Sequence, residues 1–328
     1  MEEYVYNPNL KTILDGYKGV RQINGKFVND EEGKARPKLK DILKWQLSSN
    51  VERKKNKAST FVPDLIIEEN YFNNAVDKIV WLGHASFLLT VGGRNILIDP
   101  IFKNVSIIKR RTKLPLLINE INKVDYILIS HAHLDHLDKF SVKTITEQNP
   151  YLKIFCGLGT AEIIKKWGVK NDIIEAGWWQ QFPTNDDIEI FFLPAQHWSN
   201  RNLKDRNIRL WGSFIIKNSE SIIYFMGDSA YGSHFTKIGE LFQDIDYAIM
   251  GVGAYLPRNI MQSSHLNPDE SYRAYKDLGA NKMVPMHYGT FILSDEPLTE
   301  PIQYTRELFV KEEDKLLDLA VGELFKLK

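Results

Sequence analysis

The 328 residues contain a single cysteine, Cys156, so no disulfide framework staples the chain and its core must hold by packing alone. Cys156 sits in the apolar run Lys153-Ile154-Phe155-Cys156, the setting of a buried structural thiol rather than of a nucleophile. Net charge is missing as well. The 42 Lys and Arg balance the 42 Asp and Glu, so no global field draws the chain to nucleic acid or acidic partners. No nucleic-acid partner is expected. No run approaches the roughly 20 apolar residues a membrane span requires, and Met1-Glu2-Glu3-Tyr4 lacks the basic flank and apolar stretch of a signal peptide. A cytoplasmic location is the resulting expectation. Internal repeats and low-complexity segments are absent. What remains, 43% hydrophobic and 26% charged residues, is an ordinary globular composition with enough length for a large core.

Histidine is scarce too, eight in all, which makes its placement informative. Three fall within six residues, in His131-Ala132-His133-Leu134-Asp135-His136, directly after the strand-like run Val124-Asp125-Tyr126-Ile127-Leu128-Ile129. On an extended backbone His131 and His133 share a face. Asp135 and His136 follow as the chain tightens and can address a neighbouring point, so one strand end could serve two adjacent cations. Imidazoles with a carboxylate suit zinc or a similar borderline cation.

From Lys78 onward the chain reads as mixed α/β. Ile79–Leu82, Phe87–Val91 and Asn95–Asp99 form strands, the last two joined by a Gly92-Gly93 turn. Further strands are expected at 152–155, 188–193, 213–216, 221–226, 247–250 and 282–285. Helices are expected at 139–148, 160–167 and 268–278, the last opened by Asn267 as cap, Pro268 at the first turn and the acids Asp269 and Glu270. Three polar groups repeat the placement of the main cluster just beyond an apolar strand: His197, Asp228 after Gly227, and His287. Strands packed in one sandwich would let these ends converge at one rim.

The His-x-His-x-Asp-His run resembles the signature of the metallo-β-lactamase fold hydrolases. Trp81-Leu82-Gly83-His84-Ala85-Ser86, Leu97-Ile98-Asp99-Pro100, Pro194-Ala195-Gln196-His197-Trp198, Gly253-Ala254-Tyr255-Leu256-Pro257-Arg258, His265-Leu266-Asn267-Pro268-Asp269-Glu270 and His287-Tyr288-Gly289-Thr290-Phe291 look like its N-acyl-phosphatidylethanolamine-hydrolysing phospholipase D branch. The likeness runs from about Pro37 to Pro301. It implies a four-layer αββα sandwich over residues 76–328, with residues 1–75 as an N-terminal extension packing on it. It also implies two divalent ions, Zn2+ first and Mn2+ or Fe as alternatives. One ion would be held by His131, His133 and His197, the other by Asp135, His136 and His287, with Asp228 bridging them. Asp135 and His265 are the expected catalytic groups, His265 stabilising developing charge or protonating a leaving group. Asp99 resembles the carboxylate that orients a ligand imidazole. His84 is a candidate to line the site, and His234 matches no ligand motif.

The function this implies is hydrolysis of a phosphodiester, such as that of N-acyl-phosphatidylethanolamine, by a hydroxide generated between the ions. A lactonase or another hydrolase on the same scaffold keeps every ligand and changes only the pocket. A metal-binding or di-iron redox module is the non-hydrolytic alternative. Residues 34–57 carry nine Lys or Arg against Asp41 and Glu52, with an amphipathic stretch at Leu39–Leu47. That segment either packs its apolar stripe on the core or meets an anionic membrane surface at the inner face. Oligomeric state stays open, a homodimer included.

Overall fold

The structure is a computed structural model that describes all residues except 32–36, 49, 74, 185–186 and 328. Its described residues form two seven-stranded sheets and a small three-stranded one. The first large sheet runs in the order Ile173–Ala176, Lys153–Gly157, Tyr126–Ile129, Arg94–Ile98, Ser86–Val91, Lys78–Gly83, Leu324–Lys326. The second runs Lys282–Met286, Tyr247–Gly251, Ile222–Phe225, Ser213–Lys217, Glu189–Leu193, Gln180–Gln181, Lys11–Thr12.

The period-two alternation of the strands decides the layering. Ile79, Trp81, Phe87, Leu89, Ile96, Ile98 and Leu128 join the cluster that fills the space between the sheets. Their neighbours Val80, Leu82, Leu88, Leu97, Ile127 and Ile129 face the other way and pack with Val142, Ile145 and Ile164 of helices Lys139–Gln148 and Ala161–Lys166. Across the interface Phe87 meets Phe225 at 6.1 Å and Phe155 stacks on Phe182 at 4.5 Å. Tyr224, one residue before Phe225, instead meets Phe235 of helix His234–Leu241. Helices Pro268–Asp277 and Glu300–Leu308 complete that outer layer, with Ala274, Tyr275 and Ile302 buried. The result is the αββα sandwich. Each large apolar side chain buried in it contributes ~1.5–3 kcal/mol.

Residues 1–75 are tied into this body at several points. Lys11–Thr12 pairs antiparallel with Gln180–Gln181 at the edge of the second sheet. Helix Leu39–Leu47 docks through Trp45, whose Nε1 donates to Asp295 Oδ2 at 2.6 Å, and Arg53 of helix Val51–Ala58 bonds the same carboxylate at 2.5 Å. Pro37 lies outside that first helix, which begins at Leu39. Lys34–Arg36 of the basic segment lie outside the described residues.

Strand direction then places the site. Arg94–Ile98, Tyr126–Ile129 and Lys153–Gly157 are mutually parallel, and Lys78–Gly83, two antiparallel steps from Arg94–Ile98, shares their direction. In the second sheet Ile222–Phe225, Tyr247–Gly251 and Lys282–Met286 are parallel, and Glu189–Leu193 shares their direction by two antiparallel steps. The carboxyl ends of these strands therefore open on one rim.

Candidate metal centre

His131, His133, Asp135 and His136 leave the end of Tyr126–Ile129, His197 follows Glu189–Leu193, Asp228 follows Ile222–Phe225, and His287 follows Lys282–Met286. All seven converge. With His84 and His265 their ligand atoms fall into three overlapping groups, one from His131, His133, His197 and Asp228, one from His84, Asp135, His136 and His287, and a smaller one from Asp228, His265 and His287, each lying within 4.8 Å. Asp228 reaches towards both of the larger groups. Its Oδ2 stands 3.7 Å from His131 Nε2, 3.6 Å from His197 Nε2 and 3.3 Å from His136 Nε2, while Oδ1 stands 3.1 Å from His287 Nε2. His133 Nδ1 completes the first group, 2.8 Å from His131 Nε2 and 3.2 Å from His197 Nε2. Asp135 Oδ2 completes the second, 3.6 Å from His136 Nε2 and 3.7 Å from His287 Nε2.

These spacings fit ions. Ligands about 2.0–2.2 Å from a tetrahedral cation stand about 3.3–3.6 Å from one another. The buried Nε2 atoms of His136 and His287 have no hydrogen-bond partner, an arrangement a protein core tolerates poorly unless something else satisfies them. Five imidazoles and two carboxylates form a donor set that suits borderline divalent ions.

The backbone is shaped to bring these groups together. Gly227 adopts φ +63°, and a Cβ there would stand 2.8 Å from the Gly212 carbonyl oxygen and 3.0 Å from Ser130 Cβ. Only glycine lets Asp228 approach so closely. Asp99, buried at φ +41°, accepts from His136 Nδ1 at 2.8 Å and from the Ser130 N–H at 2.8 Å. That contact fixes which nitrogen of His136 faces the site. His197 Nδ1 is held in the same way by the Ser264 carbonyl at 2.9 Å. Arg201 bonds the carbonyls of Ala132, His133 and Leu137 and so clamps the turn that carries the ligands.

Charge in the site is strongly coupled. Burial opposes ionisation of Asp228, but the imidazoles around it, His136 first, outweigh this and hold its carboxyl well below the usual range. Asp135 behaves likewise, with His136 again the strongest partner. Burial and neighbouring imidazoles keep His131 neutral. Burial lowers His197 and His133, the latter to about 4. Burial also disfavours the charged form of His287, yet Asp228 and Asp135 override it and push the group up to about 9.

His265 stands at the open side. Its side chain keeps 18% of its surface exposed, and Nδ1 lies 3.8 Å from Asp228 Oδ2. Its ring packs 5.2 Å from His197 and 5.5 Å from His287. Neighbouring Asn267 caps the following helix in a full capping box. His234 is apart from the ligands, but its Nε2 lies 3.0 Å from Ser229 Oγ, which accepts the Gln196 N–H at 2.9 Å. It thereby links the segments that carry Asp228 and His197. Sequence reasoning missed that link and also Asn29, which grips the His197 backbone; neither residue carries a motif, and only the tertiary contact reveals them.

Residues 94–288 match the family described as the beta-lactamase superfamily domain. The chain belongs to that superfamily and is a metal-dependent hydrolase of the metallo-β-lactamase fold. Within it, the chain groups with the N-acyl-phosphatidylethanolamine-hydrolysing phospholipase D-like branch: it is 33% identical to N-acyl-phosphatidylethanolamine-hydrolyzing phospholipase D 1 of Caenorhabditis elegans over 88% of each chain. It is 34% identical to the mitochondrial N-acyl-phosphatidylethanolamine-hydrolyzing phospholipase D of Saccharomyces cerevisiae over 72% of this chain and 52% of that one. Among solved structures, Igni18, a metallo hydrolase of the archaeon Ignicoccus hospitalis, superposes with a TM-score of 0.61 at 23% identity, over 77% of this chain and 99% of that one. Among the described residues no helix is long and apolar enough to cross a membrane.

Proposed function

We propose that this chain is a binuclear phosphodiesterase that hydrolyses a phospholipid of the N-acyl-phosphatidylethanolamine class, releasing an N-acylethanolamine and a phosphatidic acid. The observation that carries the reading is the reach of the Asp228 carboxylate to His131 and His197 on one side and to His136 and His287 on the other. His131, His133 and His197 would hold one ion, and Asp135, His136 and His287 the other, with zinc the first expectation and manganese or iron the alternatives. Two bound cations would bring the pKa of a shared water towards neutrality and clamp the oxygens of an in-line displacement.

The protein's own residues divide the remaining work. Asp99 and the Ser264 carbonyl keep the ligand imidazoles of His136 and His197 in one tautomer and one orientation. Burial keeps most of the cage out of water, which strengthens each electrostatic contact inside it. His265, on the exposed side and held down to about 4 by burial, is a neutral imidazole at neutral pH. It is placed to accept a proton, or to donate a hydrogen bond to charge developing on the ester oxygens. Trp198 packs 4.4 Å from His133 and carries the Arg206 guanidinium over its outer face at 4.2 Å, a cation near the site for a phosphate.

Helices Leu39–Leu47 and Val51–Ala58 support a lipid substrate. Leu43, Leu47 and Val51 are exposed, Leu47 to 85%, beside exposed Lys40, Lys44, Lys54, Lys55 and Lys57. Trp45 holds the pair to the body while those side chains face outward, a surface suited to an anionic bilayer. Purified protein loaded with zinc should cleave N-acyl-phosphatidylethanolamine in mixed micelles and turn over bis-nitrophenyl phosphate slowly. Turnover confined to a panel of lactones would overturn the reading.

A further inference from the structure

We propose that His84 is a positioning residue for the second cation, setting the carboxylate of Asp135 and the backbone of His287 at once; this rests on the two-cation reading above. His84 belongs to the tight turn between Lys78–Gly83 and Ser86–Val91. The strand ends on Gly83 at φ +95°, and the first turn residue, His84, is left-handed as well at φ +57°. A Cβ on Gly83 would collide with Arg110 Nη2 at 2.7 Å, which accounts for the glycine. Nothing of that kind accounts for the histidine, since a ring-bearing residue held at positive φ costs of order 1–3 kcal/mol.

The turn is nonetheless fixed from three sides. The His84 N–H donates to Thr290 Oγ1 at 2.8 Å, and its carbonyl accepts from Trp81 Nε1 at 2.8 Å and from the His287 N–H at 3.1 Å. These bonds fix the backbone from which the ring projects. It lies buried, its centroid 5.1 Å from that of Phe291 in a T-shaped contact and 4.1 Å from that of the tilted His287 ring. From there Nε2 donates to Asp135 Oδ2 at 3.0 Å.

That oxygen is the atom Asp135 contributes to the second ligand group. Asp135 lies within a turn and keeps 16% of its side chain exposed, so its carboxylate has room for another rotamer and a donor at this point holds the one seen. The imidazole removes that freedom, and the carbonyl of the same residue secures a second ligand of the same group. The contacts His84 makes among the cluster, to Asp135, His136 and His287, all belong to the second group. Its effect should therefore be selective. An outer partner of a ligand is worth about 10–100-fold in metal affinity.

The test is a zinc titration of the full chain against a competing chelator, with wild type, His84→Asn and His84→Gln. Asparagine tolerates the left-handed backbone but does not reach Asp135; glutamine carries an amide N–H close to the position of Nε2. Wild type should bind two ions. His84→Asn should keep the first affinity within about twofold and weaken the second about 10–100-fold, and His84→Gln should recover most of that loss. An unchanged second affinity in His84→Asn overturns the inference and leaves the two-ion reading intact. So does equal weakening of both ions, or a glutamine variant as weak as asparagine, which would make His84 a ligand itself. Wild type binding fewer than two ions sinks the two-ion reading and this inference with it. Should a variant fail to fold, nitrogen NMR of zinc-loaded wild type decides: the inference requires a His84 Nε2 that carries its proton, and a deprotonated, zinc-bound Nε2 contradicts it.

Discussion

Asn29 holds His197 by both polar groups of its backbone. Its Oδ1 accepts the His197 N–H at 3.3 Å, its Nδ2 donates to the His197 carbonyl at 3.2 Å, and the same Oδ1 accepts from Trp211 Nε1 at 3.0 Å. A residue from the N-terminal segment thus fixes a loop on the far side of the sequence, next to a proposed ligand. Asn29→Ala should weaken the first ion by about tenfold, the lower end for outer partners because the contact is to backbone rather than to the ring. Chelator competition measures it, and an unchanged first-ion affinity would show the N-terminal segment to be a passenger at this site.

Asp228 and His133 should separate shared from single ligation. Asp228→Asn should cost both ions, and His133→Ala mainly the first. Either change should cut hydrolysis by about three orders of magnitude or more, because several kcal/mol of charge stabilisation leave with the ions. Far-ultraviolet circular dichroism should stay as in wild type. Retained hydrolysis in both variants would refute the ligand assignment.

His265 is expected to act on the reaction rather than on the ions. His265→Ala should keep about two equivalents of metal while turnover falls about 10²–10⁴-fold, the range for a general acid or base. Parallel loss of metal and turnover would make it a ligand.

His234 supplies a pH-dependence independent of the cage. Burial lowers its pKa from 6.5 to about 4, with Glu31 opposing. The unfolded chain therefore binds a proton that the folded chain refuses, and the group's stabilising contribution, complete above pH 6.5, is lost as pH falls from about 6.5 to 4. The loss is at most about 3 kcal/mol. His234→Gln keeps a partner for Ser229 and cannot titrate, so its unfolding free energy relative to wild type should improve by roughly that amount between pH 7 and 4.5. Parallel urea-unfolding curves across that range would exclude the effect.

If helices Leu39–Leu47 and Val51–Ala58 meet a bilayer, Leu47→Asp should reduce co-sedimentation with phosphatidylserine-containing vesicles by about tenfold. Raising salt from about 0.05 to about 0.5 M, which shortens the Debye length about threefold, should also weaken wild-type binding. Binding indifferent to both would remove the bilayer from the account.

The sequence disclosed much of the centre because strand ends are legible. Apolar runs such as Tyr126–Ile129 and Ile222–Phe225 stop abruptly, and a polar residue just past the stop has few places to go but the rim. Asp99 was readable only through the resemblance carried by Leu97-Ile98-Asp99-Pro100. His84 was readable only as a candidate lining residue, since its role depends on a left-handed turn and on Thr290 and His287, some two hundred positions away. Short or weakly patterned elements were illegible. Lys11–Thr12 and Leu324–Lys326 exist as strands because sheet edges accept them. Helix His234–Leu241 carries a glycine and shows an apolar face only once Phe235 and Ile238 are docked.

Metal equivalents measured together with hydrolysis put the central claim to its most direct trial. Protein stripped by chelation should be inactive on N-acyl-phosphatidylethanolamine, and activity should return in proportion to added zinc until two ions per chain are bound. Full activity at one ion per chain, or hydrolysis that survives stripping, would contradict a paired-cation centre built on Asp228.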